Sequence, residues 1–139
     1  MILLDTNVIS EPWKPAPEPT VVAWLDAQTV ETLFISAITI AELRFGIAAM
    51  PSGKRQTTLR DRLEADVLPL FSGRILPFDL ATSLAYSNLM ARARLSGKAI
   101  GKADGYIAAT ALANGFAVAT RDASPFEAAG LNVINPWPP

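Results

Sequence analysis

This chain predicts an α/β fold built on a parallel sheet, and three observations lead there. Short apolar runs alternate with helical stretches along the whole length. Those runs are apolar throughout instead of alternating with polar residues, as strands covered on both faces are. The 139 residues, half of them hydrophobic, suit a single domain over residues 1–139 with a core of its own.

Ile2-Leu3-Leu4 reads as the first strand. The loop Pro15-Ala16-Pro17-Glu18-Pro19 introduces a helix over residues 21–27, and Leu33-Phe34-Ile35 forms a second strand ending at Ser36. A helix follows over residues 40–50. Leu59, Leu63 and Val67 repeat at i, i+4 and i+8, which predicts an amphipathic helix over residues 54–68 stopped by Pro69. Residues 74–76 make the third strand. Asp79 caps a helix running to about Leu95, with Leu80, Leu84, Ala91 and Leu95 on its expected core face. Residues 103–113 are apolar nearly all round and predict a buried helix ended by Asn114-Gly115. Residues 117–120 form the fourth strand. A short helix opens at Ser124-Pro125-Phe126-Glu127, which fits a capping box. Residues 132–134 form a fifth strand at an edge. The proline-rich tail from Asn135 to Pro139 can continue neither helix nor central strand.

Composition excludes much chemistry. With no Cys and no His, a thiol nucleophile, a disulfide scaffold, a Ser-His-Asp triad and a His- or Cys-ligated zinc are all ruled out. Hydrolysis would have to rest on carboxylates, hydroxyls, Lys or Tyr, or on a hard cation with oxygen ligands. The net charge of −1 does not suit a protein that grips long duplex DNA by charge alone. The N-terminus has no basic region ahead of its apolar run, and the longest uncharged stretch, residues 105–120, is too short for a membrane span. A cytoplasmic protein is expected.

Ligands of an open parallel sheet bind beyond the carboxyl ends of its strands. Asp5 follows the first strand directly and Asp122 follows the fourth. Glu42 lies in the first turns after the second. Asp104 reaches the same edge by cancellation. The helix from Asp104 to Gly115 rises roughly 16 Å, and the strand from Ala117 to Arg121 climbs back roughly 13 Å. Four carboxylates in one crevice would resist ionisation. A divalent Mg²⁺ or Mn²⁺ removes that objection and can activate a water for attack. Three of the acids also have an ordinary role open to them, and Asp122 less so, because Ser124, Pro125 and Glu127 already cap the helix that follows it. Asp5 could serve a turn or cap, Thr39-x-x-Glu42 matches a capping box, and Asp104 suits a helix first turn. Those separate roles do not explain why all four share one edge.

Thr6, Asn7, Ser36 and Thr120 lie at strand ends, where a hydroxyl or amide could orient a carboxylate or meet a phosphate. For Ser36 a helix cap is the expected role. Arg92, Arg94, Lys98 and Lys102 lead into Asp104, and Arg121 adjoins Asp122. A polyanion approaching an acidic site needs such cations. Trp13, Trp24 and Trp137 could stack bases but more commonly pack a core.

At these residues the chain resembles the PIN-domain toxins of bacterial toxin–antitoxin pairs, the VapC family, and most closely its FitB-like branch. The matching stretches are residues 4–11 (LDTNVISE), 37–46 (AITIAELRFG), 103–111 (ADGYIAATA), 119–122 (ATRD) and Asn135-Pro136-Trp137. The resemblance implies a three-layer α/β/α sandwich with a five-stranded parallel sheet in the order 3-2-1-4-5. It implies Asp5, Glu42, Asp104 and Asp122 as an acidic metal-binding quartet, with Thr6 and Thr120 as helpers. It further implies Mg²⁺- or Mn²⁺-dependent endonucleolytic cleavage of RNA to 5′-phosphate and 3′-hydroxyl ends. The partners it implies are a second copy of the chain and a small antitoxin that fills a groove and carries the DNA-binding part, so that DNA is met only indirectly. Residues 53–95 carry no motif of the family.

Two other functions remain open at this point. A strand-end Asp beside further acids also describes phosphotransfer modules. An aspartyl phosphatase, however, would want a second Asp where Asn7 stands, and a receiver domain would want a Lys where Thr120 and Arg121 stand. A silent PIN fold acting only as a binding module is the other.

Overall fold

The computed structural model describes all residues, 1–139. Five parallel strands form one sheet in the order β3-β2-β1-β4-β5, which is the order implied by the family resemblance. The strands are β1 (Ile2–Leu4), β2 (Leu33–Ser36), β3 (Ile75–Leu76), β4 (Ala117–Ala119) and β5 (Val133–Ile134). Leu3 of β1 registers with Phe34 on one side and Val118 on the other.

Because successive residues of a strand face opposite ways, the sheet feeds two cores. Leu4, Leu33, Ile35 and Ala119 point into one, Leu3 and Val118 into the other. The first core is covered by α1 (Thr6–Ser10), α3 (Ala37–Ala48) and α4 (Lys54–Asp61), with α2 (Pro19–Ala27) packing at its margin. After α4 the winding widens to a π-helix over Arg62–Val67 and closes with α5 (Leu68–Leu70). The second core is covered by α6 (Leu80–Leu95), α7 (Lys102–Asn114) and α8 (Ala123–Ala128). This is the three-layer sandwich.

Several expectations are corrected. The segment after β1 turns at once into α1 and a 3₁₀ turn over Glu11–Trp13, neither of which was expected. α3 begins at Ala37, not residue 40, because Ser36 is its N-cap and accepts from Thr39 N at 3.0 Å. The capping box from Thr39 to Glu42 therefore does not form. Pro69 does not stop its helix, which runs on to Leu70. The π winding just ahead of it accommodates a residue with no N–H to donate four positions back. At α8 the cap position falls on Asp122 and not Ser124, so that capping box is not realised either.

The largest correction concerns α6. Leu80, Leu84 and Leu95 are 87%, 63% and 89% exposed, and Ala91 is exposed as well. The inward face is Thr82, Leu89 and Ala93, flanked by Ala85, Tyr86 and Met90. On this face the Met90 and Tyr86 side chains lie over Gly105 of the Gly- and Ala-rich α7. A Cβ at Gly105 would lie 2.8 Å from Met90 Sδ and 3.1 Å from Tyr86 Cε2. The Met90 end can swing aside for one methyl but not for a branched side chain. Gly105→Val is expected to lower stability by about 1–3 kcal/mol, read as a shift of the urea midpoint at unchanged slope. An unchanged midpoint would mean the helices can part without cost.

Candidate active site

Asp5 is the best-fixed acid of the molecule. It leaves β1 and caps α1, accepting from Thr6 N at 2.7 Å on Oδ1. Its Oδ2 accepts from Thr120 Oγ1 at 2.8 Å. The ordinary cap role is thus real, and it holds the carboxylate rigid with both oxygens engaged. Thr120, fully buried, follows β4 and also accepts from Asp122 N at 3.1 Å. One hydroxyl therefore ties the first acid to the backbone of the fourth.

Glu42 comes from the second turn of α3. Its Oε1 accepts from Thr6 Oγ1 at 2.7 Å. The Thr6 and Thr39 hydroxyls are 3.2 Å apart, and Ser36 Oγ stands 3.2 Å from Thr39 Oγ1. A hydroxyl has one proton, and a carboxylate can only accept. Thr6 must therefore spend its proton on Glu42, Thr39 gives its own to Thr6, and Ser36 gives its own to Thr39. A directed chain of hydroxyls runs from the α3 cap to the Glu42 carboxylate. Thr6→Val should break it and lower the turnover number about tenfold, as loss of one hydrogen bond to a charged group does. Thr6→Ser should restore the rate. Equal turnover in all three proteins would remove Thr6 from the site.

Asp104 stands in the first turn of α7, half-buried, and Asp122 is exposed just before α8. The Asp122 side chain makes no capping bond. Charge links the four acids. Burial pushes the Asp5 carboxyl up to about 6; the bonds from Thr120 and Thr6 pull it down, and Asp104 and Glu42 push it further up. Burial raises Asp104 too, with Asp122 and then Glu42 adding to it. The predicted quartet is thus one electrostatic unit. It is not a closed cage, since no three acids stand together at metal-holding distance. Like charges keep such side chains apart.

The donor set nonetheless fits a hard divalent cation. It is all oxygen, it includes a buried carboxylate held against its neighbours' charge, and it contains no soft ligand. Mg²⁺ in particular is commonly held by one or two carboxylates with waters and substrate phosphates completing its shell, not by an all-protein cage.

The other predicted residues are placed less uniformly. Asn7 Oδ1 accepts from Arg121 N at 3.4 Å, a long contact that brings α1 to the segment between Thr120 and Asp122. Arg92 and Arg94 lie in the last turn of α6, exposed and free of ion pairs. Lys98 lines a cleft of about 410 Å³ with Ala99, Ser124, Glu127 and Ala128, beside α8. Lys102 opens α7 two residues before Asp104. Trp13, Trp24 and Trp137 all pack against the first core. Glu11 was not singled out in the sequence. It is only 3% exposed, pairs with Lys14 Nζ at 3.0 Å, and leaves Oε2 without a partner. The Glu11–Lys14 spacing of three was the one available sign.

A five-stranded parallel sandwich with a carboxylate cluster at the strand ends defines the class. The family model described as PIN domain matches residues 2–131, and the chain belongs to the PIN-domain family. It is 68% identical over 139 residues to the VapC ribonuclease Y4jK of Sinorhizobium fredii, spanning 100% of this chain and 99% of that protein. It is 54% identical over 137 residues to the toxin FitB of Neisseria gonorrhoeae, spanning 99% of each. The solved structure of FitAB bound to the IR36 DNA fragment superposes with a TM-score of 0.96 at 52% identity, over 99% of this chain and 96% of that one.

Proposed function

We propose that this protein is an endoribonuclease, the toxin of a toxin–antitoxin pair, that hydrolyses RNA phosphodiester bonds with the aid of Mg²⁺ or Mn²⁺. The observation that carries the reading is Asp5, buried and charge-coupled to Glu42 and Asp104 in a chain with no His or Cys. Such a site is at odds with itself until a cation offsets its charge.

Asp5, Asp104 and Asp122 would hold the ion, with Glu42 completing the set. A bound divalent ion supplies a nucleophilic water at neutral pH and offsets the charge of the phosphate. Glu42, its carboxylate oriented by Thr6, takes the proton from the attacking water. Thr120 and Thr6 N keep Asp5 from rotating. Asn7, Arg121, Arg92, Lys98 and Lys102 bind the RNA backbone.

The phosphotransfer alternative is disfavoured by the residues around Asp5. Asn7 stands where an aspartyl phosphatase would carry its second Asp, and Thr120 and Arg121 stand where a receiver domain would carry Lys. A silent binding module has no use for an intact, mutually repelling quartet. In this reading the chain works as a homodimer in the cytoplasm. A small DNA-binding antitoxin restrains it, a reading supported by the related FitAB complex, solved bound to a DNA fragment. No helix is long and apolar enough to cross a membrane.

The test is RNA cleavage by the purified protein with Mg²⁺ or Mn²⁺, with EDTA, and with Asp5→Asn as control. Cation-dependent cutting lost in the variant supports the reading. Cutting that survives the variant places the chemistry elsewhere.

A further inference from the structure

Arg121 sits between Thr120, which bonds Asp5, and Asp122. A guanidinium next to so many carboxylates would ordinarily pair with one. This one does not. Its side chain makes no ion pair and no hydrogen bond within the chain; only its backbone N–H is engaged, on Asn7. It lies instead over the face of Trp137, 5.4 Å from the ring centroid, within the range of a cation–π contact.

Trp137 is itself well fixed. Thr120 N donates to Ile134 O at 2.9 Å, so β5 is bolted to the residue that holds Asp5. From there Asn135 Oδ1 accepts from Trp137 N at 3.0 Å, Pro136 is buried, and the half-buried indole packs on the first core.

We infer that Trp137 is a positioning residue: its indole holds the Arg121 guanidinium clear of the acidic cluster, donors unspent, to receive a phosphate of the RNA. Without the ring, the guanidinium would be free to fold onto Asp122 or a neighbouring acid and be lost to the substrate. The inference rests on the ribonuclease reading and gives the tail from Asn135 to Trp137 a task at the site.

The test is a double-mutant cycle on binding of a short fluorescein-labelled single-stranded RNA of mixed sequence, followed by anisotropy in EDTA. Trp137→Leu is expected to weaken binding about two- to fivefold, the scale of an exposed cation–π contact. Trp137→Phe should recover most of it. In the Arg121→Gln protein, Trp137→Leu should cost nothing further. Under cleavage conditions the effect should fall on KM with kcat nearly unchanged. Trp137→Met runs the same cycle if the Leu variant does not fold. An equal loss with and without Arg121 would mean the indole acts alone and overturns the inference, as would no loss at all. Protein that binds RNA but never cuts it defeats the nuclease reading and leaves the cycle decisive. Protein that neither binds RNA in EDTA nor cuts it with Mg²⁺ or Mn²⁺ defeats both.

Discussion

Asp5→Asn is expected to abolish cleavage and, in EDTA, to leave a protein harder to unfold than the original at neutral pH. The two effects have one origin. Asp5 is 5% exposed and its carboxyl is raised to about 6, first by burial. Its folded value lies above the ordinary 3.8, so the folded chain takes up a proton more readily than the unfolded one. That contribution is fully present below about 4 and is lost as pH rises through about 6. At neutral pH the charged group costs on the order of 3 kcal/mol. Asn keeps an oxygen for Thr6 N, and its amide can donate to a rotated Thr120 hydroxyl, so part of that cost is recovered, about 1–2 kcal/mol after imperfect bonding. Activity moves the other way. The site loses the one acid that is both buried and immobilised, and several kcal/mol of cation-borne stabilisation amounts to about a thousandfold or more in rate. Urea titrations at pH 5 and pH 8, alongside cleavage assays, read both. A variant that is inactive because it is less stable would refute the electrostatic account of Asp5.

Much of this site could be read from the chain, because it depends on topology more than on packing. Asp5, Glu42 and Asp122 follow strands that are apolar throughout, and a parallel sheet sends all strand ends to one edge. Asp104 follows from matching a helix rise against a strand rise. The hydroxyl chain from Ser36 to Glu42 was not legible. Its key bond joins residues 36 positions apart, and nothing local marks Thr6 as the partner of Glu42. α1 escaped notice because five residues are too few to show a helical period. The outward leucines of α6 show the limit of periodicity most clearly. Leu80 and Leu84 mark a helical face, but what packs against α6 decides which face is covered. The bare Cα of Gly105 leaves room on the inward face for Met90 and Tyr86, and the leucines of the other face stay outside. Glu11 and the Arg121–Trp137 contact belong to the same kind, set by tertiary neighbours that sequence spacing does not reveal.

Adding Mg²⁺ or Mn²⁺ to the EDTA-treated protein is expected to remove most of the fall in its stability between about pH 4 and 6. Without a cation, the raised Asp5 and Asp104 carboxyls make the folded state the better proton acceptor there, so stability falls as pH rises. A cation binds only deprotonated carboxylates, so in its presence the folded Asp5 carboxyl ionises at lower pH, back toward its ordinary range. Folded and unfolded chains then take up protons nearly alike, and stability is nearly level over the same interval. At a cation concentration of about a hundred times its dissociation constant, the gain at neutral pH is about 2.7 kcal/mol. It should vanish in Asp5→Asn and shrink in Asp104→Asn, which is half-exposed and easier to do without. Thermal unfolding across the pH series with and without the ion measures this without any substrate. Parallel curves, with the ion adding the same increment at every pH, would mean that it binds away from the quartet.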